Sequence, residues 1–260
     1  MLGQVIRDIL GATRNKRKNG PRPAKHTDEA NPLAEYFYSN SGRGACKWHH
    51  YFEIYHRHLA RFRGQSPIVV EIGVAFGGSL PMWHHYFGPE TRVIGVDIDP
   101  ACRQFEDAGT TIIIGDQADR DFLAIVRERV PRIDILIDDG GHTMAQQITT
   151  FEELYPHIQP EGIYLCEDVH TSLLPNFVGG YLRKGTFLEY SKALVDRLLS
   201  WHSPDPATLK VDEFTLMTHG MHFYNGVVVI EKRRMEPPRQ FMTHGSAPPG
   251  SGPGSPAFRP

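Results

Sequence analysis

The feature that most constrains the fold of this chain is a regular alternation between short apolar runs and helix-length segments. The apolar runs, rich in β-branched and aliphatic residues, are Ile68–Ile72, Arg92–Asp97, Thr111–Ile114, Ile133–Ile137 and Gly162–Cys166. Strands separated by helix-length segments are typical of βαβ units, which form a parallel sheet. The pattern therefore predicts an α/β fold of Rossmann-like type, with helices on both faces of the sheet.

The end of the pattern is different. Two further runs, Phe214–Tyr224 and Val227–Lys232, flank the dipeptide Asn225-Gly226. Asn-Gly between apolar runs is the strongest short signal for a β-hairpin. We predict that the mostly parallel sheet finishes in a C-terminal antiparallel β-hairpin.

Composition suggests one folded domain with an extension at each end. We predict a mobile N-terminal extension over residues 1–31, a domain over residues 32–235 and a disordered Pro-, Gly- and Ser-rich tail over residues 236–260. The N-terminal residues lack the pattern of a signal peptide, and no run of eighteen apolar residues occurs, so we expect no membrane span. The three cysteines form no CxxC pair, which favours reduced thiols and a cytoplasmic protein.

Charge argues against a polyanionic partner. The chain has 28 basic and 30 acidic residues and a formal net charge of −2. Such a balance gives no overall field that would attract nucleic acid, so we expect a small-molecule partner.

Polar and glycine residues follow the first three predicted strands. A glycine-rich turn lets the backbone approach a ligand closely, and an acidic residue at the end of the second strand can accept hydrogen bonds from ribose hydroxyls. Residues after the third strand are placed to meet an adenine amino group. We predict an adenosine-containing cofactor bound by Glu71, Gly73, Ser79, Asp97, Asp116, Gln117 and Asp138.

S-adenosyl-L-methionine fits this site better than a nicotinamide cofactor. The glycine spacing is not G-x-G-x-x-G, and Phe76 would crowd a pyrophosphate. An ordinary structural alternative remains for each acidic residue: Glu71 would satisfy loop amides, Asp97 would cap the next helix, and Asp116 would form an Asx turn.

Acidic residues also follow the fourth and fifth strands, in Asp138-Asp139-Gly140-Gly141-His142 and Glu167-Asp168-Val169-His170-Thr171. Converging carboxylates repel one another and need protonation or a cation. Oxygen ligands select Mg²⁺, which would acidify a substrate hydroxyl while His142 takes its proton. The alternative is that Asp138 and Asp139 cap the following helix and that the histidines are ordinary loop residues.

The motifs VEIGVAFGGSLPMW, GVDIDP, IGDQAD, IDDGGHTMAQQITTFEELYP and YLCEDVHTS together resemble the metal-dependent sugar O-methyltransferases of antibiotic biosynthesis. The similarity covers about residues 45–235. It implies a class I methyltransferase sheet, S-adenosyl-L-methionine as methyl donor, and a glycoside hydroxyl as acceptor. It also implies Mg²⁺ held by Asp139, Glu167 and Asp168, with His142 as general base and Asp138 as a supporting residue or alternative ligand.

Other functions remain open at this point. The acceptor could instead be a catechol, polyketide or hydroxylated lipid, and a nicotinamide-dependent oxidoreductase or a non-catalytic binding protein are the other candidates. We expect a homo-oligomer.

Three segments have predictions of their own. Lys47–Arg63 is predicted to be an amphipathic helix whose histidines, including His58, face mostly solvent. Leu173–Thr186 is predicted to be a lid, and Phe187–Trp201 an amphipathic helix.

Overall fold

The computed structural model describes residues 31–241. The strands of this part are β1 (Ile68–Ile72), β2 (Arg92–Asp97), β3 (Thr110–Ile114), β4 (Ile133–Asp138), β5 (Ile158–Cys166), β6 (Thr218–Phe223) and β7 (Val228–Lys232). The α-helices are α1 (Pro32–Ser39), α2 (Tyr51–Leu59), α3 (Ser79–Phe87), α4 (Arg120–Arg129), α5 (Met144–Leu154), α6 (Phe187–Leu198) and α7 (Glu213–Met217). Apart from Asn31 and residues 236–241, the predicted N-terminal extension and C-terminal tail lie outside the described residues.

The strands form one sheet in the order β3-β2-β1-β4-β5-β7-β6. Strands β1 to β5 pair in parallel, whereas β7 is antiparallel to both β5 and β6. The predicted parallel sheet and its terminal hairpin around Asn225-Gly226 are therefore confirmed. Among residues 31–241, no helix has the length and apolar character needed to cross a membrane.

Two apolar clusters cover the two faces of the sheet. Val69 and Ile135 face the first cluster with Tyr55 of α2 and Trp83 of α3. The neighbouring strand residues face the second cluster, with Leu123 of α4 and Phe151 of α5. Because both faces are covered, the strands read as continuous apolar runs rather than as alternating ones. Helices on both faces are thus confirmed.

The position of the crevice follows from the strand order. The order reverses between β1 and β4, where successive connections leave in opposite directions, and ligands bind beyond the carboxyl ends of strands at such a point. The loops there are very close: Gly73 has φ +94°, and a Cβ atom on it would lie 2.0 Å from the carbonyl oxygen of Asp139. Only glycine fits at position 73, for both reasons.

Two predicted elements were wrong in part. Phe214 to Met217 belong to α7 and not to the hairpin strand, because Asp212 caps the helix by accepting a hydrogen bond from the Thr215 amide at 3.0 Å. This local capping outweighs the β-rich composition. In the N-terminal part of the domain, α2 begins at Tyr51 rather than at Lys47, and residues 43–48 form an irregular segment.

The histidine assignment in α2 also needs correction. His58 was expected to face solvent, but it is buried, with 5 % of its surface exposed. Its ring hydrogen-bonds to Glu231 and Tyr224 from the terminal hairpin. The hairpin packs against the end of α2, which helix periodicity alone could not indicate.

Candidate active site

The loop after β1 is closed by a short side-chain contact. Glu71 is fully buried, and its Oε2 atom accepts a hydrogen bond of 2.6 Å from the hydroxyl of Ser79 at the start of α3. Its second oxygen, Oε1, is buried without a hydrogen-bond partner. Burial raises the pKa of Glu71 above its ordinary value. The carboxylate thus joins the two ends of the glycine-rich turn, and its Oε1 atom has no hydrogen bond.

Asp97 organises the same turn from the end of β2. Its Oδ2 accepts hydrogen bonds from the amides of Val74 and Ala75, at 2.8 and 2.9 Å, and its Oδ1 accepts one from the amide of Asp99 at 2.9 Å. It is therefore Asp97, rather than Glu71, that satisfies the loop amides. Each carboxylate oxygen has two lone pairs, so the three amides leave one acceptor position, on Oδ1.

The residues after β3 face inward to different extents. Asp116 accepts a hydrogen bond from the amide of Ala118 at 2.8 Å, which is the Asx turn considered from the sequence. The Gln117 side chain is buried and donates to Asp138 Oδ1 at 2.9 Å, while its carbonyl oxygen accepts from the amide of Gly141 at 2.8 Å. Gln117 therefore joins the loop after β3 to the loop after β4.

Asp138 is fully buried and takes part in the contact between the loops after β3 and β4. Besides the amide of Gln117, the hydroxyl of Tyr164 donates to it at 3.2 Å. Burial raises the pKa of Asp138 to about 6, and the hydrogen bonds from Gln117 and Tyr164 act in the opposite direction. The side chain therefore supports the loops after β3 and β4.

The loops after β4 and β5 bring three of the predicted side chains together. Asp139, His142 and Asp168 each offer a potential ligand atom, and these atoms lie within 4.8 Å of one another. His142 Nε2 is 3.8 Å from Asp139 Oδ1 and 3.6 Å from Asp168 Oδ2. His142 and Asp168 both have positive φ angles, 57° and 53°. Such strained backbone is held at functional sites because the surrounding structure fixes it.

The capping alternative for Asp138 and Asp139 does not describe this loop. Helix α5 is capped by Thr143, which forms a capping box with Gln146. The helix start is therefore satisfied without either aspartate, and Asp139 is free to face the crevice.

Lys47 is the site residue that sequence reasoning missed. Its ammonium is buried and donates to Asp139 Oδ2 at 2.5 Å and to Glu167 Oε1 at 2.9 Å, and it lies 3.9 Å from Glu71 Oε1. One cation thus touches carboxylates from the ends of β1, β4 and β5. A single lysine in an irregular segment gives no periodic or motif signal, so nothing in the sequence marked it.

Three aromatic side chains near α2 also reach the carboxylates. Tyr55 Oη donates to Glu167 Oε1 at 2.6 Å, Tyr51 Oη donates to Asp168 Oδ1 at 2.7 Å, and Trp48 Nε1 donates to the same oxygen at 3.1 Å. On the predicted amphipathic helix, aromatic side chains such as Trp48 and Tyr55 would serve mainly for packing. They instead combine apolar contact with a polar tip that orients an acid.

Lys47 and the carboxylates around it interact strongly because they are buried together. Burial and the charge of Asp139 raise the pKa of Glu167 well above its usual range. Burial would lower the pKa of Lys47, but the carboxylates of Asp139, Glu167 and Glu71 outweigh it and raise that pKa well above its ordinary value. The ammonium is therefore held in its charged form, and the acids compete for it.

The donor set suits a hard divalent cation. Asp139 Oδ1 and Asp168 Oδ2 both lie near His142 Nε2. Lys47 donates to the other oxygen of Asp139. Tyr51 and Trp48 donate to the other oxygen of Asp168. Metal-ligating carboxylates are typically oriented by such outer hydrogen bonds. Within the described residues, His142 Nδ1 is one of the few buried polar side-chain atoms without a partner. The residues present thus fit Mg²⁺.

The predicted lid follows directly after β5. Short 3₁₀ turns at Val169–Leu173 and Pro175–Phe177 lead into an irregular segment. Val178, Tyr181 and Leu182 expose 54 %, 83 % and 59 % of their surface. This segment therefore exposes several large apolar side chains.

Comparison with known proteins identifies relatives of this chain. Residues 70–169 match the profile of a family described as a methyltransferase domain. The 8-demethyl-8-alpha-L-rhamnosyl tetracenomycin-C 2'-O-methyltransferase of Streptomyces olivaceus is 37 % identical over 73 % of this chain and 52 % of its own length. The mycinamicin VI 2''-O-methyltransferase of Micromonospora griseorubida is 35 % identical over 69 % of this chain and 47 % of its own length.

A solved structure extends the comparison to three dimensions. The MycE methyltransferase of the mycinamycin biosynthetic pathway, in complex with Mg and SAH, has a TM-score of 0.68 and 32 % identity, covering 78 % of this chain and 54 % of its own. This chain spans about half the length of the curated relatives it matches. With its class I methyltransferase fold, the chain is a homologue of the sugar O-methyltransferases of antibiotic biosynthesis.

Proposed function

We propose that this chain transfers the methyl group of S-adenosyl-L-methionine to a hydroxyl of a sugar carried by a natural product, in a reaction that requires Mg²⁺. The observation that carries the proposal is the convergence of Asp139, Asp168 and His142 beyond the ends of β4 and β5. The homologues named above act on rhamnosyl tetracenomycin-C and on mycinamicin VI. A sugar of this kind offers adjacent hydroxyls, which suits a metal with open positions.

The cofactor half of the site is formed by the ends of β1 to β3. We assign Gly73, Asp97 and Asp116 to direct contact with the cofactor, with Asp97 accepting from ribose hydroxyls. The two side-chain pairs Glu71–Ser79 and Gln117–Asp138 hold the loops that surround it. S-adenosyl-L-methionine supplies an electrophilic methyl group when it is bound.

For the metal half we propose Asp139, Glu167 and Asp168 as ligands. Asp139 and Asp168 lie in one cluster with His142, whereas Lys47 donates to both oxygens of Glu167 in the structure. Mg²⁺ bound there would lower the pKa of a coordinated hydroxyl and fix its oxygen. His142 would accept the hydroxyl proton at Nε2, the ring nitrogen that faces Asp139 and Asp168. Tyr51, Tyr55 and Trp48 would keep the carboxylates in position, and the apolar side chains at Val178 to Leu182 would help to exclude water.

A small glycoside is the expected acceptor, and a catechol, polyketide or hydroxylated lipid is the alternative within the same chemistry. Among the other sequence candidates, the nicotinamide oxidoreductase is disfavoured by the class I methyltransferase sheet order.

The test is incubation of the full chain with methyl-labelled S-adenosyl-L-methionine, Mg²⁺ and a matched panel of rhamnosides, catechols and simple diols. We expect label in an ether of the rhamnosides. The Asp139→Asn variant should form labelled product roughly a thousandfold more slowly, whereas the exposed Asp121→Asn variant should behave as the parent. Label in the catechols alone would contradict the sugar acceptor, and no label in any acceptor with normal cofactor binding would contradict the reaction.

A further inference from the structure

A second cluster of metal-ligating side chains lies outside the strand-end site. His58 near the end of α2, His222 on the edge strand β6 and Glu231 on β7 each offer one ligand atom, and these atoms lie within 4.8 Å of one another. Glu231 Oε1 is 2.9 Å from His58 Nδ1 and 3.6 Å from His222 Nε2. The two imidazole rings have their centroids 4.6 Å apart. Three different elements thus direct two nitrogens and one oxygen toward a common point.

The distances suit a small divalent ion. Zinc binds imidazole nitrogen at about 2.0–2.1 Å and carboxylate oxygen at about 2.0–2.2 Å, so tetrahedral ligand atoms are roughly 3.3 Å apart. The two separations from Glu231 Oε1 lie on either side of that value. The His222 side chain is 39 % exposed, so it can adjust by rotation and the ion can enter from solvent.

The surroundings of His58 are those of a metal-ligating histidine. Its Nε2 lies 2.8 Å from the hydroxyl of Tyr224. With the proton on Nδ1, the ring donates to Glu231. With the proton on Nε2, the Tyr224 oxygen accepts it and the lone pair of Nδ1 is available to an ion beside Glu231. An outer partner of this kind fixes the ring orientation and tautomer of a ligand.

We propose that His58, His222 and Glu231 form a second cation site, selective for Zn²⁺ or a similar nitrogen-preferring divalent ion. Two imidazoles and one carboxylate are a zinc donor set, whereas the oxygen-rich strand-end site favours Mg²⁺. Three protein ligands leave a fourth position for water.

The site would act on the catalytic region through α2. Tyr51 lies seven residues before His58 on the same helix, a distance of about 10 Å along the axis, and its hydroxyl donates to Asp168. An ion that joins His58 to the terminal hairpin would therefore fix the helix that orients Asp168 and Glu167. The inference concerns a site separate from the proposed catalytic one and does not depend on it.

The experiment is Zn²⁺ titration of the full chain by calorimetry after removal of metals with a chelator. The protein carries Asp139→Asn, which weakens the strand-end site. In this background His222→Gln removes a ligand, and His219→Gln is the matched control, because His219 is exposed on the same strand. Far-UV circular dichroism checks that both variants are folded, and Co²⁺ in place of Zn²⁺ reports coordination by its visible absorption.

We expect one equivalent of Zn²⁺ and a tetrahedral Co²⁺ spectrum with the parent and with His219→Gln. Loss of a direct ligand should weaken binding in His222→Gln by at least the roughly 10- to 100-fold that loss of an outer partner costs. Zn²⁺ should also raise the Tm of the control but not of His222→Gln. Absence of Zn²⁺ binding, or equal affinity in the two variants, would overturn the proposal.

Discussion

The loops after β1 to β3 and the loops after β4 and β5 both carry buried acids, but they neutralise them differently. Asp97 is stabilised by three backbone amides, which are fixed parts of the fold. Asp139 and Glu167 instead share the single ammonium of Lys47. Amide dipoles need no added ion, whereas carboxylates in a dry crevice need a cation. The acid at the end of β2 is therefore balanced by the fold itself, whereas the acids at the ends of β4 and β5 depend on positive charge.

The largest effect is expected for substitution of a proposed metal ligand. Asp139→Asn removes a negative oxygen that faces His142 and Asp168, so Mg²⁺ should bind poorly and turnover should fall roughly a thousandfold, since metal polarisation is worth several kcal/mol. Binding of S-adenosyl-L-methionine, measured by calorimetry, should be nearly unchanged. A parallel loss of cofactor affinity would mean that the two halves are not independent.

Lys47→Met tests the internal cation. Removing one member of a buried charge cluster leaves the others uncompensated and should lower the free energy of unfolding by about 3 kcal/mol, as followed by urea denaturation with chelator present. Added Mg²⁺ should recover more stability in this variant than in the parent. The exposed Lys192→Met is the control and should differ little from the parent. If the two lysine variants unfold alike, the ammonium is not needed to balance the acids.

The His142→Gln variant separates proton transfer from metal binding within the metal half. The change removes the proposed proton acceptor and leaves all carboxylates in place, so kcat should fall by about a hundredfold. Mn²⁺ affinity, measured by electron paramagnetic resonance, should change much less than in Asp139→Asn. Equal loss of metal binding in both variants would make His142 a ligand rather than a base.

The Asp97→Asn variant makes the corresponding change in the cofactor half, and we expect it to have the smallest effect. An amide is a weaker acceptor than a carboxylate and cannot serve three backbone donors equally well, so affinity for S-adenosyl-L-methionine should fall about tenfold. Mn²⁺ affinity should stay at the parental value. A loss of metal binding here would remove the distinction between the two halves.

Much of the architecture could be predicted from the sequence because its signals are local and periodic. The five parallel strands follow from apolar runs such as Ile133–Ile137, and the hairpin follows from Asn225-Gly226. The prediction failed at Phe214 to Met217, where Asp212 caps a helix that composition had assigned to a strand.

Only part of the site could be predicted from the sequence, because the remaining contacts join residues that are far apart in the chain. Asp139, Glu167, Asp168 and His142 follow strands and could be placed at one sheet edge by topology. Lys47 and Tyr55 reach the same acids from 92 and 112 positions away in sequence, and no local pattern encodes contacts of that range. The burial of His58 likewise depends on where the hairpin packs.

The most direct measurement compares cofactor binding and methyl transfer in the same protein with EDTA and with Mg²⁺. We predict that S-adenosyl-L-methionine binds with nearly the same affinity in both conditions, while methyl transfer to a rhamnoside occurs only with Mg²⁺. Methyl transfer that continues unchanged in EDTA would contradict this prediction.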